Sequence, residues 1–330
     1  YLSLAFIVLS LGLWLTQIYL PELERLSALS SYGVDLPFSF QFTSLRNWQP
    51  IGHQNYVAGY LVLVLPLLAG LAWVSRGWQR WLWAIGLVLG LLDLYTTSSR
   101  GGWLALLATG IVAVAVALVS SHLPRRVVLA IGGGTVGVVL LAILSNNRLR
   151  TVLAQLASGN FSGGELSYRV VTNIVGWHMG ISRPLTGIGP GSVPLVYQQY
   201  RPGWAGREAE LQFQLHSTPA QLWGEVGIWG VILPIALIVL LTVLVFKWVR
   251  QNPQKTPSGL PSTLIWAMLA GLLAFGLISL TDYQLDIVGI SGILSIYLAI
   301  LAKTFQPVAE PSASHLRRIN RLLAGVGAGL

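Results

Sequence analysis

Apolar runs of about 20 residues recur along this chain, at 1–20, 55–75, 81–99, 102–121, 127–145, 222–246, 263–281 and 287–303. A helix needs roughly 20 mainly apolar residues to cross the hydrocarbon core of a bilayer. In lipid every backbone polar group must be satisfied inside the segment, which leaves helices or closed barrels. Each run therefore predicts a transmembrane helix, and the fold class is an all-α polytopic membrane protein of about eight spans. Composition agrees, because 54% of the 330 residues are hydrophobic and only 9% are charged, against about a quarter charged in a soluble domain. The chain opens inside an apolar run and closes on 322–330 (LLAGVGAGL), which reads as the first half of a truncated ninth span. Both ends are therefore expected to be cut.

The runs divide the chain into four parts: a transmembrane bundle of about five spans at 1–145, a long connection at 146–221, further spans at 222–303, and a cytoplasmic segment entering another span at 304–330. Basic residues orient them, since cytoplasmic loops carry an excess of Lys and Arg. With 76–80 in the cytoplasm, strict alternation also puts Arg125, Arg126, Lys247, Arg250, Lys255, Lys303, Arg317, Arg318 and Arg321 there. The opposite side receives 21–54, the turn at 98–101, the long connection and 281–286, with most of the acids. This asymmetry accounts for the net charge of +9 through topology and excludes nucleic acid as the partner. The long loop is therefore expected on the extracytoplasmic side, with membrane lipids as partners. A site there is out of reach of ATP and soluble nucleotide sugars.

A connection as long as 146–221 without a span of its own is unusual and points to function. It carries Arg148, Arg150, Arg169, Arg183, Arg201 and Arg207 but no lysine, which suits forked recognition of phosphate or carboxylate. Leu149, Val152, Leu153 and Leu156 repeat at helical spacing, as do Val170, Ile174, Trp177 and Ile181. Both sets predict amphipathic helices on the membrane surface or capping the bundle. The second set starts after Ser167 and stops before Pro184. A glycine turn follows at 187–192 (GIGPGS), and His216 precedes the next span, with Gln221 and Glu225 in its first turns.

Arg100 stands between two spans with almost no loop, beside Gly101 and Gly102, which permit close approach of a ligand. It reads either as an interfacial anchor or partner of Asp93, or as an anion-holding arginine facing an outward cavity. Arg169 divides between snorkelling and the same anion role. Glu225 reads as a helix-start acid favoured by the dipole, or as a site residue. His216, at the mouth of the bundle, has the chemistry to take a proton from a hydroxyl. Asp282 and Asp286 read as a solvated turn. Gly86 with Gly90, and Gly133 with Gly137, have the spacing of close helix packing. No metal is expected, since His53, His122, His178 and His315 are scattered and no Cys/His or acidic cage is present. No cofactor and no nucleophile-elbow motif is expected either.

Four segments together resemble the O-antigen ligase and O-antigen polymerase family. The turn Ser99-Arg100-Gly101-Gly102-Trp103 is similar to that family's Ser-Arg-Gly-Gly motif. The run from Tyr168-Arg169 through Trp177 to Arg183-Pro184-Leu185-Thr186-Gly187-Ile188-Gly189 resembles a segment of its large periplasmic loop. His216 to Leu222, followed by Glu225-Val226-Gly227, resembles its His-Asn segment, with Ser217 in place of the Asn. Residues 51–60, containing Asn55, resemble the entry to an earlier span.

The resemblance implies a C-type glycosyltransferase-like fold and a metal-independent transferase. The donor would be a glycan on a polyprenyl diphosphate, and the acceptor a hydroxyl on lipid A core (ligase) or on another repeat unit (polymerase). It assigns Arg100 and Arg169 to the diphosphate and His216 to the acceptor hydroxyl. Tyr168, Arg183, Gln221, Glu225 and Asn55 fall in the same motifs and are assigned to substrate binding. Transport of a small anion such as bicarbonate is the competing reading, since arginines would serve an anion there too. Transporters, however, are commonly built from internal repeats with broken helices meeting at mid-membrane, and neither is visible here.

Overall fold

The computed structural model describes residues 1–34, 45–120, 125–145, 164–205, 211–250 and 259–305. Among these residues the chain is all helical. The helices are α1 (Leu2–Trp14), a π-turn (Leu15–Tyr19), α2 (Leu20–Ser31), α3 (Gln54–Val74), α4 (Trp78–Thr97), α5 (Arg100–Ser120), α6 (Arg125–Ser145), α7 (Gly164–Ser182), α8 (Val193–Tyr200), α9 (Thr218–Val226), α10 (Trp229–Arg250), α11 (Ser262–Ser279) and α12 (Val288–Phe305). Six are long and apolar enough to cross a membrane: Leu2–Ser31, Gln54–Val74, Arg100–Leu118, Trp229–Arg250, Ser262–Ser279 and Val288–Phe305. The protein is therefore a multi-pass membrane protein. α4 and α6, of 20 and 21 residues, stand at the other two expected positions. The ninth span, the Leu149–Leu156 helix, Arg148, Arg150 and Arg207 lie outside the described residues.

Two span boundaries differ from expectation. The first helix does not stop near Leu20 but runs on to Ser31 through the π-turn. Pro21 explains the turn: it has no N–H to give and its ring crowds the carbonyl four residues back, so the ladder widens ahead of it. The run at 222–246 is split. Gly227, at φ 67°, ends α9, and the spanning helix α10 begins only at Trp229.

α3 is the centre of the bundle, with Val57 to Leu65 buried all round. Small residues let its neighbours approach closely. A Cβ on Gly271 of α11 would lie 2.3 Å from the Leu63 carbonyl oxygen, and one on Gly90 of α4 2.7 Å from Leu65 Cδ2. Gly86 packs likewise against Leu4 of α1, so the pair Gly86 and Gly90 has the packing use expected of it. The pair Gly133 and Gly137 does not: both face open space, and Gly132 instead meets Val114 of α5.

The turn between α4 and α5 is buried, so its backbone needs internal partners. Ser98 takes the left-handed conformation (φ 54°) that ends α4. The Thr96 and Thr97 hydroxyls donate to the carbonyls of Asp93 and Leu94, and Gly102 N–H donates to Ser99 Oγ at the start of α5. Arg100 thus enters at a fixed first position of α5. Asp93 is wholly buried, and its Oδ1 accepts from Ser10 and Asn47 (3.0 and 2.8 Å). This network ties the segment before α3 to the end of α4.

The long connection folds into its own unit. α7, α8 and α9 enclose a small core of Val171, Val175, Met179, Val193, Tyr197, Ala205 and Leu215. Gly176 and Gly180 let α9 lie against α7, where a Cβ would run into Ala220 and the Trp223 indole. α7 begins at Gly164, earlier than expected, and its buried face is Val171, Val175 and Met179. The stripe read from sequence points outward: Val170, Trp177 and Ile181 are exposed. This helix is apolar on two sides, one against its own core and one toward its surroundings.

Candidate active site

The glycine turn after α7 clamps the α9–α10 joint. Ile188 N–H donates to the Gly224 carbonyl (3.0 Å), Gly189 N–H to the Glu225 carbonyl (2.9 Å) and Ile228 N–H to the Pro184 carbonyl (2.8 Å). Gly187 has φ 66°, and a Cβ there would lie 2.2 Å from the Glu225 carbonyl carbon. Only glycine fits both the conformation and the space. Glu225 is 4% exposed and sits at the C-terminal end of α9, so it is not the helix-start acid of its own helix. Its Oε1 instead accepts from Val193 N–H, the first residue of α8, at 3.5 Å. Gln221 is buried too, and its Oε1 accepts from Leu215 N–H at 2.6 Å. That bond fixes the backbone immediately before His216.

His216 is the meeting point. Its Nδ1 lies 3.0 Å from Asp282 Oδ1 and its Nε2 lies 2.7 Å from the Tyr168 hydroxyl. Thr218 Oγ1 donates to the Asp282 carbonyl (2.8 Å), joining the start of α9 to the 281–286 turn. Arg169 Nη1 donates to the carbonyl of Thr281, the residue before Asp282. Gly101, the residue after Arg100, packs on Thr281 as well, since a Cβ there would lie 3.0 Å from Thr281 Oγ1. The α5 start and the α7 start, which carry Arg100 and Arg169, therefore converge on one turn.

Asp282 corrects the sequence reading. It is 2% exposed rather than solvated. Burial alone would raise its carboxyl, but the hydrogen bond from His216 and the electrostatic influence of His216, His53 and Arg169 hold it below the ordinary carboxylate value. An ionised carboxylate only accepts, so His216 Nδ1 is the donor and its Nε2 holds the lone pair in the neutral ring. Asp286 differs: burial raises its carboxyl, and it accepts from Gln214 Nε2.

Tyr168 adds a second chemical feature. Burial, with the neighbouring Tyr197 and Asp282, pushes its hydroxyl up to about 12, so it stays protonated. Its single proton has two acceptors, His216 Nε2 and Gln212 Oε1. Toward neutral His216 it donates; toward a protonated ring it accepts and turns its proton to Gln212. Both charge states of His216 thus keep a partner.

Asn55, in the first turn of α3, accepts from Ser99 Oγ (3.1 Å) and its carbonyl accepts from Gln284 Nε2 (2.8 Å). It joins the 99–100 turn to the 281–286 turn. Arg183 is not brought in: it is exposed and follows α7, whose rise separates its end from Arg169 by roughly 20 Å. His53, read as an isolated histidine, has its ring centroid 6.4 Å from that of His216. Its residue position just before an apolar run marks a helix cap, which was the available signal. Burial pushes its imidazole below the ordinary value; Asp282 opposes this, and His216 and Arg46 add to it. Among the described residues no group of three or more His, Cys, Asp or Glu is placed to hold a metal ion.

The comparison with curated proteins gives no match. Residues 85–235 match the family model described as O-antigen ligase. That stretch contains Arg100, Tyr168, Arg169, Arg183, His216, Gln221 and Glu225, and stops short of Asp282. Over residues 85–235 the chain is similar to the O-antigen ligase family.

Proposed function

We propose that the protein transfers a glycan from a polyprenyl diphosphate to an acceptor hydroxyl at the outer, periplasmic face of the cytoplasmic membrane. The match of residues 85–235 to the O-antigen ligase model supports glycan transfer of that general type; the carrier, the side of the membrane and the residue roles are further parts of the proposal. The observation that carries it is His216, held by Asp282 on one nitrogen and facing a hydroxyl with the other.

In this reading the acceptor hydroxyl takes the place of the Tyr168 hydroxyl at His216 Nε2. His216 removes its proton as the oxygen attacks the anomeric carbon of the donor. The bond from that carbon to the diphosphate oxygen breaks, and the diphosphate leaves with the electron pair. Arg100 and Arg169 face the developing negative charge, where forked donors in a site of low dielectric are strongest. Asp282 stabilises the imidazolium that forms. The step needs no metal and no nucleotide.

Asn55, Gln221 and Glu225 serve the substrate indirectly, by fixing the turns that carry Arg100, His216 and the glycine clamp. Arg183 contacts lipid headgroups or the outer part of the glycan. The exposed Val170, Trp177, Ile181, Leu195, Trp204 and Phe213 bed the loop unit into the outer leaflet, where amphipathic helices bind by buried apolar area. α4 and α6 complete eight spans.

The test is reconstitution of the protein with a polyprenyl-diphosphate glycan and two acceptors, lipid A core and a second lipid-linked glycan. Extension of one of them is expected. Extension of neither overturns the proposal.

A further inference from the structure

We propose that His53 is a binding residue for the acceptor, its Nε2–H donating to an oxygen next to the hydroxyl that His216 deprotonates. The inference rests on the transfer reading above and adds a residue that lies outside the matched stretch.

The cap fixes the tautomer. His53 precedes α3 in extended conformation, and its Nδ1 accepts from Asn55 N–H at 3.2 Å. A nitrogen that accepts carries no proton, so the neutral ring has its proton on Nε2. A protonated ring would lose this cap, because both nitrogens would then donate. His53 is therefore a neutral donor.

The ring is also braced. It lies against Tyr56, with centroids 4.9 Å apart, while Tyr56 OH donates to Gln214 Oε1. Asn55, two residues on, is held by both Ser99 and Gln284. A donor locked in this way needs little ordering when a ligand arrives.

The two imidazole rings, with centroids 6.4 Å apart, then offer opposite polarity to one ligand. His216 Nε2 accepts and His53 Nε2–H donates. Adjacent sugar oxygens match this pair, one giving its proton and the next accepting a hydrogen bond. Electrostatics favour an uncharged partner, because His53 feels both the Asp282 carboxylate and the Arg46 guanidinium. The diphosphate has the arginines of the α5 and α7 starts instead.

The experiment compares wild type with His53→Asn and His53→Ser, using the lipid-linked glycan donor and whichever acceptor, lipid A core or a second lipid-linked glycan, the wild type extends. Asn and Ser are both strong N-cap residues, so each keeps the start of α3 and removes the ring donor. The acceptor KM is expected to rise about five- to tenfold, with the donor KM and the thermal midpoint unchanged. An unchanged acceptor KM in both variants overturns the inference alone, as does a rise confined to the donor KM. Absence of transfer by the wild type overturns the transfer reading and this inference with it.

Discussion

His216 and Asp282 meet at 3.0 Å although 66 residues separate them in sequence. One comes from the loop unit and the other from the turn between α11 and α12. The contact forms only when that unit folds down on the bundle. Orientation of the imidazole is thus a product of tertiary structure, and the carboxylate sets which nitrogen is free to act as a base.

Replacing Asp282 with Asn tests this. The amide keeps the shape but can no longer stabilise an imidazolium. Transfer is expected to fall on the order of 100-fold or more, the scale of general-base contributions, while membrane insertion is retained. A transfer assay on the purified variant measures it, and activity near wild type would remove Asp282 from the mechanism.

Arg169 is expected to resist conservative replacement. Its guanidinium reaches the Thr281 carbonyl and keeps further N–H groups for an anion, whereas lysine offers a single point charge on a flexible stem. Arg169→Lys should lose on the order of 100-fold in transfer. Arg100→Ala should do the same, and the double variant should lose less than the product of the two, because both act on one group.

The spans were readable because apolar runs of this length have one solution in lipid. The residues of the candidate site were legible in part. Arg100, Arg169 and His216 stand in short motifs with local signals, and the structure brings the start of α5, the start of α7 and the segment before α9 to one turn. Asp282 was hidden, since a turn acid looks solvated until the loop unit covers it. His53 was hidden because its neighbour comes from a different part of the chain. The second apolar face of α7, Val171, Val175 and Met179, was not singled out, because the helix is apolar on two sides and periodicity cannot say which side meets protein. The break at Gly227 was legible in principle, from the glycines that flank Glu225 and Val226, but hydropathy alone runs across it.

Gly187 is expected to be intolerant of any side chain. Its positive φ and its contact with the Glu225 backbone both penalise alanine. Conformational strain alone costs about 1–3 kcal/mol, and displacement of the clamp adds to it. A lower thermal midpoint in detergent for Gly187→Ala, with little change for Gly133→Ala, a helical glycine of α6 that faces open space, is the expected pattern.

Stability should depend on pH through His53. Its folded value lies below the unfolded one, so its contribution is present above the ordinary histidine value of about 6.5 and is lost as pH falls through the folded value. Wild type should lose more stability between pH 7.5 and 5.5 than His53→Asn, and thermal melts at the two pH values measure the difference. Asp282, with its depressed value, adds a further loss only below about pH 4. Parallel losses in both proteins between pH 7.5 and 5.5 would contradict the assignment.

The central claim is that His216 acts on the acceptor hydroxyl. Transfer and donor binding should be measured side by side for wild type and His216→Ala, with the lipid-linked glycan and the acceptor that the wild type extends. The expected result is normal donor binding with transfer abolished. Normal transfer by His216→Ala would contradict the account.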